Sequence, residues 1–230
     1  MIRLVLFDID GTLIRSGGAG VKAFERTFVL EFGIRDATRN VSFAGRTDTS
    51  LVRQCFQRHQ IELLPENVDR FFNTYVFLLR ELLERSRGAA CAGVRDFIGD
   101  LESLPDPPML GLLTGNVRLG AEIKLRHFGL WDHFQTGAFG DDHEDRNRLA
   151  AEARARGASL LGNHLSGDQV LVVGDTPLDV QCGQAIQAHV LAVGTGDCSC
   201  DELRACGPTW VVKSLRDLSA GEVCRGLNGQ

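Results

Sequence analysis

The strongest constraint on this chain is an alternation. From about residue 89 onward, short apolar runs take turns with stretches of helical spacing. The apolar runs are Met109–Leu113, 134–138, Gln169–Val173, His189–Val193 and Thr209–Val212, and residues 3–7 form a further one near the start. Most are apolar end to end instead of alternating, which marks strands buried on both faces. Between them, helical spacing runs over Val94, Phe97, Ile98, Leu101 and Leu104, stopped by Pro105, Pro107 and Pro108. It returns over about 117–128, over 146–161 and from Pro177. Such alternation predicts an α/β fold: a parallel sheet in a three-layer arrangement, with helices on both faces and right-handed crossovers. Ligands of open parallel sheets sit beyond the carboxyl ends of the strands, so polar residues just after each strand are the candidates for function.

Residues 16–88 break the alternation. Val21, Phe24, Phe28 and Phe32 predict one helix, stopped at Gly33. Leu51, Val52, Cys55, Phe56 and His59 predict a second, capped by Thr47 or Asp48. Pro65 opens a third, carrying Val68, Phe71, Phe72, Tyr75, Val76, Leu79, Leu82 and Leu83. Gly17, Gly18 and Gly20 at the entry and Gly88 near the exit read as hinge positions. They do not follow a strand directly and lack the full dinucleotide-binding fingerprint.

A chain of 230 residues allows one large domain or one domain plus a smaller partner. A net charge of −5 and a pI of about 5.7 argue against nucleic-acid binding by charge. No apolar run approaches the roughly 18 residues of a membrane span, and the early acidic residues do not read as a signal peptide. The seven cysteines, odd in number and dispersed, predict reduced thiols and a cytoplasmic location. Cys198, Cys200 and Cys206 lack both a CxxC pair and a nearby histidine, so plain thiols are expected there and not a zinc site. The histidines show no metal-binding spacing. The tail from Gly221 is expected to fray.

Chemistry collects at three strand ends. The first run closes on Asp8-Ile-Asp10-Gly-Thr, the 109–113 run on Thr114-Gly115-Asn116, and the 169–173 run on Gly174-Asp175-Thr-Pro-Leu-Asp179. Crowded carboxylates need a neutralising cation. Residues at a helix start, as at Thr114–Asn116, suit a phosphate. Carboxylates with a phosphate cradle call for a hard divalent ion, and Mg²⁺ fits.

In order and context these motifs resemble those of the haloacid dehalogenase-like hydrolase superfamily, in its phosphoglycolate phosphatase and beta-phosphoglucomutase-like branch. The resemblance spans nearly the whole chain. It implies a Rossmann-like core of residues 1–15 and 89–230, with 16–88 inserted as a small α-helical cap domain. It also implies roles. Asp8 would be the nucleophile that forms an aspartyl-phosphate. Asp10 would be the general acid/base, with its main-chain carbonyl on the metal. Thr114 would bind the transferring phosphoryl group, helped by Gly115 and Asn116. Asp175 would be a metal ligand, and Asp179 an acidic partner acting directly or through water. The implied cofactor is Mg²⁺, with Asp8, Asp10, Asp175 and Asp179 as its carboxylate set.

This branch also needs a cation, usually lysine, before the last motif. The only lysines are Lys22, Lys124 and Lys213, and none falls at the expected place, Lys124 coming too soon after Thr114. An arginine is therefore expected, Arg146 first and Arg148 second. Asp141, Asp142, Glu144 and Asp145 read as a helix N-terminal cluster, or else as groups that tune the metal or Arg146. His143 is the one histidine near this proposed cation. In the cap, Gly45-Arg46-Thr47-Asp48 lies between two helices. Arg46 is a candidate to bind a distal anionic group of the substrate, the alternative being a capping turn with an exposed arginine.

The expected function is a Mg²⁺-dependent phosphomonoester hydrolase acting on a small phosphorylated metabolite, with phosphoglycolate heading the candidates. The alternatives are a sugar-phosphate mutase and a non-catalytic phosphate-binding protein on the same fold. Dehalogenase and phosphonate-cleaving activities are disfavoured, because those branches lack the second acid that Asp10 supplies. The expected partner is that metabolite, with no nucleic acid or membrane, in a monomer or homodimer.

Overall fold

The structure, a computed structural model, describes residues 1–162 and 164–225. The first strand, β1 (Leu4–Phe7), is followed by the two-residue β2 (Ile14–Arg15). Three helices come next: α1 (Ala19–Phe32), α2 (Asp48–Arg58) and α3 (Pro65–Glu84). The chain continues as β3 (Ala89–Ala90), α4 (Val94–Glu102), β4 (Met109–Leu113), α5 (Arg118–His127), β5 (Thr136–Ala138) and α6 (Arg146–Leu160). It closes with β6 (Val170–Gly174), α7 (Pro177–Ala185), β7 (His189–Val193), α8 (Cys200–Ala205), β8 (Trp210–Val212) and α9 (Ala220–Arg225).

The main sheet has six strands in the order β5-β4-β1-β6-β7-β8, all parallel. The chain leaves β1 in one direction through β4 and β5, then returns to the other side through β6. The order therefore reverses at β1, and the crevice at its carboxyl end is where a ligand of such a sheet sits. Side chains alternate across the pleat. Val5 and Phe7 pack with Val94, Phe97, Ile98 and Leu101 of α4, Leu125 of α5 and Val223 of α9. Leu4 and Leu6 face the other way, onto Leu149, Ala150 and Ala153 of α6 and Cys182 of α7. These are the helix–sheet–helix layers that the alternation predicts.

Between β2 and β3 the described residues hold helices and no strand. Their shared core is aromatic: Phe24 and Phe28 of α1, Phe56 of α2, and Phe71 and Tyr75 of α3 are all buried together. Phe24 and Phe71 meet at 4.7 Å between ring centres. Val117 and Ile123 close this cluster from the α5 side, so the helical block rests on a helix of the sheet layer. Ile14 pairs with Ala90 and Arg15 with Ala89, so the chain's exit to the block and its return are zipped side by side.

Two expectations need correction. The strand predicted over 134–138 begins only at Thr136, because Phe134 follows a short 3-10 turn (Trp131–His133) and packs its ring on Phe7. The tail from Gly221, expected to fray, is helical as far as Arg225. Val223 and Cys224 are buried in the sheet core, and that burial holds the segment. Residues 226–230 lie outside the described residues.

Candidate active site

Strand register brings the three motifs level. Phe7 pairs with Leu112 on one side and Val173 on the other. Asp8, the next residue, continues the ladder by donating its backbone N–H to Val173 at 2.9 Å. Asp8, Thr114 and Asp175 thus emerge together at the carboxyl ends of β1, β4 and β6. Close packing demands glycine here. Gly11 has a left-handed φ of 87°, and a Cβ on it would lie 2.3 Å from an Asp175 carboxylate oxygen. These groups line a cavity of about 480 Å³, within the range of small-molecule pockets.

Asp8, Asp175 and Asp179 are buried, and each offers an oxygen within 4.8 Å of the others'. Thr12 Oγ1 donates to Asp175 at 2.9 Å. Thr176 caps α7, and its backbone N–H and hydroxyl hold one Asp179 oxygen at 3.0 and 2.6 Å. The other Asp179 oxygen accepts from Arg146. Arg146 opens α6 behind its N-cap Asp145, and its Nη2 lies 3.6 Å from Asp8 Oδ1. Its Nε is buried with no oxygen or nitrogen acceptor among the described residues, and the Cys182 thiol lies beside the guanidinium. Burial, then the Asp179 charge, push the Asp8 carboxyl well above the usual range, with Arg146 opposing. Burial, then Asp179 and Asp8, raise Asp175 likewise. Burial alone would lower the Arg146 guanidinium, but Asp179 and Asp8 outweigh it and hold it above its ordinary value. Three buried carboxylates around one buried cation form an oxygen-only donor set with negative charge to spare. That set fits a hard divalent ion.

A second polar group lies beside the first. Asp10 Oδ2 accepts from Lys124 Nζ at 2.6 Å and from Asn116 Nδ2 at 2.9 Å. Lys124 also donates to Asn116 Oδ1 at 2.6 Å, and Asn116 Nδ2 reaches Thr114 Oγ1 at 2.8 Å. Lys124 thus does not stand in the place of the cation beside Asp8, where Arg146 lies, but it enters the site against Asp10, a position its spacing does not reveal. Helical side chains lean toward the helix N-terminus, and a lysine stem is long enough to carry its amine back past a full turn.

The helical block closes over this floor through the loop before α2. Asp48 donates its backbone N–H to Gly115 O at 2.7 Å and accepts from Val117 N–H at 2.9 Å. A Cβ at Gly115 would lie 2.1 Å from the Arg46 carbonyl oxygen, so only glycine allows that approach. Thr49 donates to Gly140 O at 2.6 Å, and Arg53 pairs with Glu144 at 2.9 Å. Burial pushes the Asp48 carboxyl up to about 6, although Lys124 pulls it down. Thr47, not Asp48, is the cap of α2.

Arg46 lines the cavity, but its guanidinium is taken up by Gln54 and by Ser50 Oγ at 3.3 Å on α2. Arg148 meets His143 at 3.1 Å on the exposed side of α6 and makes no contact with Asp8 among the described residues. The acids after β5 each have a partner within the protein. Asp141 accepts from Arg118 N–H, Asp142 pairs with Arg156, Glu144 with Arg53, and Asp145 caps α6. The seven cysteines are free. No helix among the described residues is long and apolar enough to cross a membrane.

The chain is similar to known proteins in sequence and in fold. A family model described as haloacid dehalogenase-like hydrolase matches residues 5–193. Pyrophosphatase PpaX of Halalkalibacterium halodurans is 26% identical over 222 residues, covering 94% of this chain and 95% of that protein. Among solved structures, a predicted phosphoglycolate phosphatase from Haemophilus somnus superposes with a TM-score of 0.73 at 18% identity, over 94% of this chain and 96% of that one. CbbY from Rhodobacter sphaeroides, in complex with phosphate, gives a TM-score of 0.73 at 17% identity, over 95% of this chain and 96% of that one.

Proposed function

Since the chain belongs to the haloacid dehalogenase-like hydrolases, we propose that it is a Mg²⁺-dependent phosphatase that transfers the phosphoryl group of a small phosphometabolite to Asp8 and then to water. The observation that carries this reading is the gathering of Asp8, Asp10, Thr114, Arg146 and Asp175 on one cavity at the reversal point of the sheet.

Asp8, Asp175 and the main-chain carbonyl of Asp10 would hold Mg²⁺. Asp179, whose two oxygens already accept protein hydrogen bonds, would stand behind them. When bound, the ion supplies the positive charge that lets Asp8 stay ionised beside a phosphate. An Asp8 oxygen attacks phosphorus, and the bond from phosphorus to the leaving oxygen breaks. Asp10 gives that oxygen its proton, then takes one from the water that cleaves the aspartyl-phosphate and restores Asp8. The Thr114 hydroxyl and the Arg146 guanidinium stabilise charge on the phosphoryl oxygens. Residues 16–88 act as the substrate-selecting cap, with Phe24, Phe43 and Tyr75 supplying an apolar wall to the cavity.

Phosphoglycolate is the first substrate to test. The relatedness to a pyrophosphatase adds phosphoanhydrides as a second class. A hydrolysis screen over phosphometabolites and pyrophosphate, with Mg²⁺ or chelator, tests the reading, with Asp8→Asn as control. Phosphate release that needs both Mg²⁺ and Asp8 supports it. An isomerised sugar phosphate without released phosphate would mean a mutase, and binding without turnover a non-catalytic protein.

A further inference from the structure

Lys124 is 4% exposed, yet the carboxylate it pairs with is on a side chain 42% exposed. That asymmetry is informative. A half-exposed carboxylate is solvated without help, whereas burying an ammonium carries a desolvation penalty that an ion pair only partly offsets. The pair is therefore a poor device for stability. Its effect is geometric. Lys124 and Asn116 both bind Oδ2 of Asp10, and no protein donor is recorded on Oδ1 among the described residues. Asn116 joins the same network to Thr114, so the amine, the acid/base and the phosphoryl-binding hydroxyl are linked in one chain of hydrogen bonds.

We propose that Lys124 is a positioning residue for Asp10, fixing Oδ2 so that Oδ1 is the oxygen that carries and receives the proton. The proposal rests on the phosphatase reading above. It goes beyond it by giving a buried cation from α5 a part in proton transfer, separate from the Arg146 cation that faces Asp8. A misplaced Asp10 harms departure of a basic leaving group far more than of one that leaves without a proton.

The test compares wild type, Lys124→Met and Lys124→Arg on an alkyl phosphate and on 4-nitrophenyl phosphate, with Mg²⁺, reading kcat/KM for each, which reports phosphoryl transfer to Asp8 and not the later attack of water common to both esters. Lys124→Met is expected to lose about 100-fold in kcat/KM on the alkyl ester and only a few-fold on the nitrophenyl ester. Lys124→Arg should recover part of the alkyl-ester loss. Equal losses in kcat/KM on both esters, or no loss, would overturn the positioning role and leave the phosphatase reading standing. A wild type inactive on every phosphoester would overturn both. Should Lys124→Met fail to fold, Lys124→Gln, which removes the charge but keeps a polar end, carries the same expectation.

Discussion

Arg146 and Lys124 are both buried and line the same cavity, but their electrostatic surroundings differ. Arg146 contacts Asp8 and Asp179, with Asp175 in the same cluster, and its buried Nε has no oxygen or nitrogen acceptor among the described residues. Lys124 contacts one carboxylate and one amide, and every polar atom of Asn116's side chain has a partner. The first group has too much negative charge for its one cation, and burial raises the carboxyls accordingly. The second is balanced. An unbalanced buried cluster suits an added cation and a moving phosphoryl group, whereas a balanced one suits a group that must be held still.

The two clusters should respond differently to substitution, and the nucleophile carries the greatest loss. Asp8→Asn should lose at least about 10⁴-fold in kcat on any phosphoester, measured by phosphate release. Retained activity would mean the unbalanced cluster does not contain the nucleophile. Chelation of Mg²⁺, or Asp175→Asn at fixed Mg²⁺, should lose on the order of 10³-fold. Mg²⁺ should raise the melting temperature of wild type but not of Asp175→Asn. Arg146→Met should lose about 10²- to 10³-fold on alkyl and nitrophenyl esters alike, with Arg146→Lys intermediate. That lack of leaving-group dependence is what separates Arg146 from Lys124, and a dependence matching that of Lys124 would merge the two groups into one.

The smallest effect concerns stability. Asp48 is buried against the N-terminus of α5, with its folded pKa raised to about 6 from an ordinary 3.8. A raised acid contributes most to stability below its unfolded pKa and loses that contribution as pH rises through the folded value. Asp48→Asn does not titrate and keeps an acceptor for Val117. Its stability relative to wild type should therefore rise by on the order of 2 kcal/mol between pH 4 and pH 7.5. Denaturant melts at the two pH values check this, and a constant difference would show that Asp48 is not held as described.

The sheet and the motif positions were legible because they depend on local pattern. Met109–Leu113 and His189–Val193 are strands with the predicted bounds, and Thr47 caps α2 as one of the two candidates. Arg146 stood out because the lysine expected near it was absent. Lys124 was missed for a different reason. Its partner is 114 residues away in sequence, and only the parallel pairing of β1 with β4 brings the two together. Arg46 shows the converse: its loop was identified, but its charge is taken up by Gln54 and Ser50, contacts that spacing does not reveal. The two-residue strands β2 and β3 are too short for any periodicity to mark, although they fall at the predicted edges of the helical block.

In this mechanism the unbalanced cluster accepts the phosphoryl group on Asp8. Rapid acid quench during turnover, followed by proteolysis and mass spectrometry, tests it directly. A phosphoryl adduct is expected on the peptide containing Asp8, present in wild type and absent from Asp8→Asn. Turnover with no adduct, or an adduct that persists in Asp8→Asn, would contradict it.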